Sequence, residues 1–333
     1  MIFIKDSAVE ELKWERLLEN SLQASPFQTI GTYNFFKGVE NCSAHVFACE
    51  EMSEYTALAV VAVYKEGGIK GFLSKRAIIY GGPVFHNNNN QSIEAFLKYV
   101  NTSLKNEVIY TEIRNFFDYS QFNQQFTNAG WNFIDYLNVQ IHLENKSHNE
   151  ILAAMNSTRA RQIRNTYKLG AVVGPSVNVN EITSFYKILK ELYAQKVKLP
   201  IPDLNFFVNL IQSKNGIFFV VKHLDRVIGG AFCLWLPSQG VYTFYYCGDD
   251  NYDKKMYPAH IAIDGAIKFA IENNLKVVDL MGAGKKDEYY GVRVYKERFG
   301  GLLVEHGRYL KISKPLLYKV GILGLKILKK LKR

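Results

Sequence analysis

The sequence is poor in the features that would tie it to a metal, a disulfide scaffold or a membrane span. Its four cysteines, Cys42, Cys49, Cys233 and Cys247, have neither CxxC nor metal-ligand spacing. Two of them sit in apolar strand-like runs, which fits reduced core thiols and a reducing compartment. Seven histidines lack metal spacing, and neither HExxH nor a Ser-His-Asp order appears, so no metal site is expected. No apolar run reaches the roughly 18 residues a spanning helix needs. No basic start leads into an apolar stretch and a small-residue cleavage site, so a cytoplasmic chain without a signal peptide is predicted.

Acidic residues are missing altogether from one place. Residues 311–333, KISKPLLYKVGILGLKILKKLKR, hold seven Lys and one Arg, +8 of the net +10, and leave +2 for the first 310 residues. The basic balance therefore belongs to the tail, and the near-neutral body carries no broad nucleic-acid footprint. The basic run alternates with leucines rather than with stacking aromatics. A hydrophobic content of 48% and an aromatic content of 14% over 333 residues predict a globular chain of two ordinary domains.

The two halves run in parallel. TALAVVAVYKEGG and KGFLSKRAIIYGGPVF read as strands, followed by the helix SIEAFLKYVNTSL and the strand EVIYTEIRN. Later, GIFFVVKHLDRVIGGAFCLWL reads as a strand pair turning near Asp225. It precedes the strand GVYTFYYCGDD, the helix PAHIAIDGAIKFAIENN and the strand KVVDLMGAG. Gly81 to Ile109 spans 28 positions and Gly248 to Val278 spans 30, so a duplicated α/β unit with mixed sheets is expected. Helices are predicted over 148–169, ending at Gly170, and over 180–198, stopping at LPIP. The polar tract 86–92 reads as a surface loop. The expected division is 1–145, 146–310 and a tail helix over 311–333.

Open sheets place their crevice at the carboxyl ends of strands. In the second half that points to YYCGDDNYDKKMYP and to DLMGAG, with Tyr245, Asp279, Gly282 and Gly284 as candidate binding positions. The strand end Asp279-Leu280-Met281-Gly282, followed by Tyr295-Lys296-Glu297-Arg298-Phe299-Gly300-Gly301, resembles the FemABX aminoacyltransferases. That family carries Asp-hydrophobic-x-Gly and then Phe-Lys-x-x-Phe-Gly-Gly. NSTRARQIRNTYKLGAVV, FYKILKELYAQKVKLPIP and DRVIGGAF are similar to its Arg-rich helix, following helix and central hairpin. The likeness covers about residues 145–310, and the first half in layout only.

The resemblance implies two tandem GNAT-like domains. It implies an acyltransferase forming an amide on a cell-envelope precursor, of peptidoglycan or polysaccharide, nucleotide-sugar or lipid-linked. Lys296 becomes the leading catalytic candidate, since a fixed cation stabilises the oxyanion formed when an amine attacks an activated carbonyl. Tyr295 and Phe299 flank it. For the general base, Asp249, Asp250, Asp253, Glu288 and, in the first half, Glu112 are candidates, although an Asp at 249 or 250 serves equally to cap a turn. Arg161, Arg164 and Lys168 at i, i+3, i+7 share a helix face, suited to a phosphate-bearing acceptor or simply to solvent. Lys198 stands near a basic acceptor contact of the family, and Lys37 matches one a residue out of register. His260 and Asp264, at i, i+4, are expected to pair structurally.

One departure concerns the donor. Where acetyl-CoA enzymes of this superfamily carry Arg/Gln-x-x-Gly-x-Gly/Ala, the chain reads DNYDKKMYPAHIA, with Pro258 lacking an N–H. Aminoacyl-tRNA and acyl-CoA both stay open as donors, without a tightly bound cofactor. So do N-acetylation of an amino sugar or small amine, and binding of an envelope component without catalysis. In the tail, Leu316, Val320, Leu323, Ile327 and Leu331 fall on one helical face beside Lys319, Lys326, Lys330 and Arg333. Such a helix either docks on the protein or lies on an anionic membrane, at its inner face.

Overall fold

A computed structural model describes residues 1–65, 74–86 and 89–331, with side chains as far as Gly324. The start of the strand expected at 70–85, the turn before it and part of the polar tract lie outside the described residues. The fold is mixed α/β, with two mixed sheets. Two compact units divide the chain: 1–135 with 306–333, and 136–305.

The first unit contains β1 (Ile2–Lys5), β2 (Cys42–Glu51), β3 (Glu54–Tyr64), β4 (Arg76–Gly81), β5 (Val84–Phe85), β6 (Tyr110–Asn115) and β7 (Asn132–Ile134). The second contains β8 (Asn138–His142), β9 (Val172–Pro175), β10 (Gly216–His223), β11 (Arg226–Leu236), β12 (Gly240–Gly248), β13 (Val277–Gly282) and β14 (Leu302–Val304). The chain then returns to the first sheet as β15 (Arg308–Ile312). The sheet orders are β1-β2-β3-β4-β6-β15-β7, with β5 beside β3, and β14-β8-β13-β12-β11-β10-β9.

The repeated strand pair, strand, helix, strand order is present in both units. Helix Asn90–Leu104 buries Ile93, Phe96, Leu97, Val100 and Leu104, a 3.6-residue stripe, against its sheet. Helix Pro258–Glu272 buries Ile261, Ala262, Ala266, Ile267 and Ala270 in the second core. Each helix crosses between two parallel neighbours, β4 with β6 and β12 with β13.

The two parallel pairs differ in length, and that creates the crevice. β4 and β6 stay in register from Arg76↔Tyr110 to Gly81↔Asn115. β12 and β13 pair only over Gly240↔Val277, Val241↔Val278 and Tyr242↔Asp279. Beyond that point β12 bulges at Phe244, against the Phe232/Cys233 step of β11, and β13 shifts register against β8 between Asp279 and Gly282. The two strands part where their side-chain rows would otherwise continue together.

Several boundaries differ from the sequence reading. The strand at 136–143, assigned there to the first half, is β8 of the second sheet, held between β13 and β14. Residues 308–312 do not simply lead into a tail: as β15 they fill the gap between β6 and β7. The helix expected over 148–169 is two helices, His148–Ala154 and Ser157–Lys168, because Asn156 caps the second by accepting from the Thr158 and Arg159 N–H groups. The helix ending at 198 closes as an α-helix at Leu192, with a wider turn over Tyr193–Val197.

Tyr309 locks β15 in place. Its ring stacks on Phe126 at 3.9 Å, its hydroxyl donates to Asn123, and the residue is 1% exposed. Tyr309→Ala is expected to cost about 3–5 kcal/mol, as large aromatic truncations do. Urea unfolding checks this, and a loss below about 1 kcal/mol would mean that the returning strand is dispensable.

Candidate active site

At the opening between β12 and β13, β13 ends on an unusual turn. Met281 takes a left-handed backbone, φ +62°. Asp279, fully buried, accepts from the Met281 N–H at 2.5 Å and from Gln140 Nε2 at 2.9 Å. The turn leaves the carbonyls of Met281 and Gly282 without ladder partners on β12. Lys296 supplies the donor: its Nζ lies 2.9 Å from Gly282 O and 3.4 Å from Met281 O.

Helix Gly291–Glu297 delivers that lysine, which is 6% exposed. Burial pushes its ammonium down from 10.5 to about 8, against the pull of the Asp279 carboxylate. Burial likewise pushes Asp279 up from 3.8 to about 6, although Gln140, the Met281 N–H and Lys296 all act the other way. An ammonium near 8 is both a cation able to meet a developing oxyanion and, in its neutral fraction, a proton acceptor.

The aromatic residues on either side of Lys296 hold the helix. The Arg159 guanidinium lies 4.3 Å from the Tyr295 ring centre and 4.1 Å from that of Phe299. Tyr246, on β12 past its bulge, stacks on Tyr295 at 6.1 Å. The double glycine has a steric reason. At Gly300, φ +77°, a Cβ would sit 2.7 Å from Ala154 O, and at Gly301 it would sit 2.7 Å from Val139 Cγ1. The chain can therefore turn tightly past the lysine into β14.

The structure thus gathers Lys296, Asp279, Gly282, Tyr295 and Phe299, with Gly284 close by under the Tyr290 ring. Tyr245 points elsewhere, into an aromatic cluster with Tyr193, Phe206 and Phe207. Asp249 is occupied: it accepts from the Asn251 N–H and pairs with Arg226 at 3.0 Å, the turn-capping alternative. It lines a cleft of about 500 Å³ with Glu181, Lys187, Glu191 and Arg226, whose lining includes neither Lys296 nor Asp279. Glu112 lies in the first unit, clamped by Arg114 and Arg308. Burial opposes its ionisation, but the two arginines hold its carboxyl below the ordinary value, a poor base.

Arg161, Arg164, Lys168, Lys198 and Lys37 are exposed, and Lys37 lies over the Tyr33 ring at 5.2 Å. His260 does not pair with Asp264. That carboxylate is taken by His148 at 2.7 Å, Tyr167 at 2.7 Å and Lys268 at 3.3 Å, while His260 stacks on Tyr257. Sequence reasoning missed Gln140, Tyr246 and Arg159. A signal for Arg159 did exist: it shares a helical face with Ile163 and Thr166, whereas Arg161 and Arg164 face outward.

No family model matches the sequence, and no curated protein matches it. Solved structures do. A crystal structure of FemX aligns with a TM-score of 0.74 at 14% identity, over 96% of this chain and 99% of that one. The C-terminal domain of a putative lysylphosphatidylglycerol synthetase from Agrobacterium fabrum gives 0.59 at 9% identity, over 94% and 96%. A tandem GNAT protein from the clavulanic acid biosynthesis pathway gives 0.54 at 7% identity, over 94% and 98%. The chain has a tandem GNAT fold. Within that class its architecture is FemABX-like.

The depressed lysine has a thermodynamic signature. Between pH 8 and 10.5 the unfolded chain keeps a proton that folded Lys296 has shed, so stability rises with pH across that window. Asp279 acts at lower pH: its raised value stabilises the fold in acid and that contribution is lost from 3.8 to about 6. Wild type is therefore expected to gain on Lys296→Met as pH climbs from 8 to 10.5, measured by denaturant unfolding at stepped pH. A flat difference would show a solvated ammonium.

Proposed function

We propose that the chain is a Fem-like acyltransferase. It forms an amide between an activated aminoacyl or acyl group and an amino group of a cell-envelope precursor, nucleotide-sugar or lipid-linked. The observation carrying this reading is the buried Lys296 ammonium at the point where β12 and β13 part. The carbonyl of the activated group would enter that opening. Attack by the acceptor amine puts negative charge on the carbonyl oxygen, and Lys296, already desolvated, meets that charge without reorganisation. The amine loses one proton as the C–N bond forms and the bond to the leaving group breaks, and the leaving group departs carrying a proton. Asp279 keeps the lysine charged enough to serve, and Arg159, between Tyr295 and Phe299, holds its helix in position.

The donor is aminoacyl-tRNA or acyl-CoA. The fold likeness to FemX and to a lysylphosphatidylglycerol synthetase domain supports the envelope reading. Lys296→Ala is expected to lower the turnover number by about 10²–10³ with little change in KM, the usual effect of removing one oxyanion donor. The measurement is transfer from charged tRNA and from acyl-CoA to envelope precursors, and undiminished turnover would refute the assignment.

The C-terminal helix Pro315–Leu331 supports a place at the membrane. Tyr318 anchors it on Tyr110, with ring centres 5.3 Å apart, and Lys314 donates to Asn106 O at 2.8 Å. Leu316, Val320 and Leu323, which share one face, stay 80%, 55% and 59% exposed rather than docking on the protein. Side chains from residue 325 to 331, including Lys326, Ile327, Lys330 and Leu331, and the whole of Lys332 and Arg333, lie outside the described residues. No described helix is long and apolar enough to cross a membrane. Wild type should co-sediment with anionic vesicles and less with neutral ones, and the double variant Leu316→Glu, Leu323→Glu should lose binding to both. Retained binding by that variant would exclude the helix as the anchor.

A further inference from the structure

A neutral side chain on a neighbouring strand controls the buried carboxylate beside the lysine. Each carboxylate oxygen of Asp279 takes one N–H donor: Oδ1 that of Met281 at 2.5 Å, Oδ2 that of Gln140 Nε2 at 2.9 Å. The first donor is backbone, so any residue but proline at 281 supplies it. The second depends on the identity of the residue at 140. Lys296 Nζ gives its hydrogen bonds to Gly282 O and Met281 O, and acts on the carboxylate through space.

The alternation of β8 puts Gln140 in place. Val139 and Ile141 enter the second core, while Gln140 takes the other face, in register with Asp279 on one side and Leu302 on the other. A Cβ at Gly301 would lie 2.7 Å from Val139 Cγ1 and 3.0 Å from Gln140 O. The segment that delivers Lys296 is therefore seated on the strand that delivers Gln140. Three groups face Asp279: Lys296 from helix Gly291–Glu297, the Tyr242 phenol from β12, and the Gln140 amide from β8. Burial pushes the Tyr242 phenol up, so it stays neutral, and the amide has no charge to give. What the amide gives is a donor to the ionised carboxylate, in opposition to the burial that favours the protonated form.

We propose that Gln140 is a positioning residue that sets the acid limit of the site: by donating to Asp279 Oδ2 it keeps the carboxylate ionised beside the Lys296 ammonium at neutral pH. It acts through Asp279 and takes no part in bond making. Its consequence for turnover rests on the acyltransferase reading above, whereas its effect on the ionisation of Asp279 does not.

The sign follows from the hydrogen bond. Asp279 takes up its proton in the folded chain as pH falls through about 6. Gln140→Met keeps an unbranched side chain of similar length and removes the donor, so that midpoint should rise by about one pH unit, the size of one hydrogen bond to a charged group. The Asp279 carboxyl carbon, followed by NMR against pH and assigned with Asp279→Asn, reads it directly. Denaturant unfolding gives a second measurement. The donor matters only while the carboxylate is ionised, so the cost of Gln140→Met, as a ratio of unfolding constants, should be about tenfold larger at pH 8 than at pH 5. In the Asp279→Asn background that pH dependence should vanish, whereas a merely structural glutamine would cost the same at every pH in both backgrounds. In the transfer assay, the acid limb of kcat should move up by about one pH unit in Gln140→Met, with the alkaline limb moving less. A wild type that transfers no acyl group would count against the acyltransferase reading alone, because the NMR titration decides this one. The proposal is overturned if the Asp279 midpoint stays or falls in Gln140→Met, if the cost of that substitution does not depend on pH, or if its pH dependence survives in Asp279→Asn.

Discussion

The contact between the Lys296 ammonium and the carbonyls of Met281 and Gly282 is the constraint on which the second unit's geometry turns. When β13 leaves β12 after Asp279, the Met281 and Gly282 carbonyls lose their partners on β12, while Gly282 still pairs with Asn138 of β8. A single long side chain from a later helix reaches both and allows the strands to stay apart. Desolvating an ammonium is itself expensive, and Asp279, buried one strand position before the turn, offsets part of it. Opening the sheet, burying the lysine and burying the carboxylate are thus one energetic unit.

The surrounding residues serve that unit. Gln140 on β8 gives Asp279 a donor, and the left-handed Met281 turns its N–H back onto the same carboxylate. Arg159 clamps the two aromatic residues on either side of the lysine, so the helix carrying it is held by stacking rather than by an ion pair. Gly300 and Gly301 then pass within contact of Ala154 and Val139, where any side chain would push the helix off its seat.

The first unit uses the same order of elements to a different end. Its parallel pair runs unbroken through Gly81↔Asn115, and the charge at the corresponding strand, Glu112, is cancelled by Arg114 and Arg308. Among the described residues, the second unit combines parted strands with Lys296 and Asp279, whose ionisation burial perturbs, which is the arrangement expected of a chemical site. Duplication supplied two copies of a crossover, and local register decided which copy has an opening.

Periodicity and turn chemistry were enough to read both strand-helix-strand repeats, the hairpin at Asp225 and the Gly170 stop, since these depend on residues close in sequence, whereas the joining of a strand end to the Lys296 segment came from the family resemblance. Partner choice was not readable. Nothing local tells β8 to join the second sheet, or β15 to return between β6 and β7, because strand pairing is decided by which edge is vacant and which core a residue such as Tyr309 can fill. The same holds for charge. Three arginines within six residues of one helix look alike in sequence, yet packing buries Arg159 between two rings and leaves Arg161 and Arg164 in water. Sequence by itself determined the elements and their order; tertiary structure decided which polar groups lost their solvent, and desolvation is what pulls the Lys296 ammonium down to about 8.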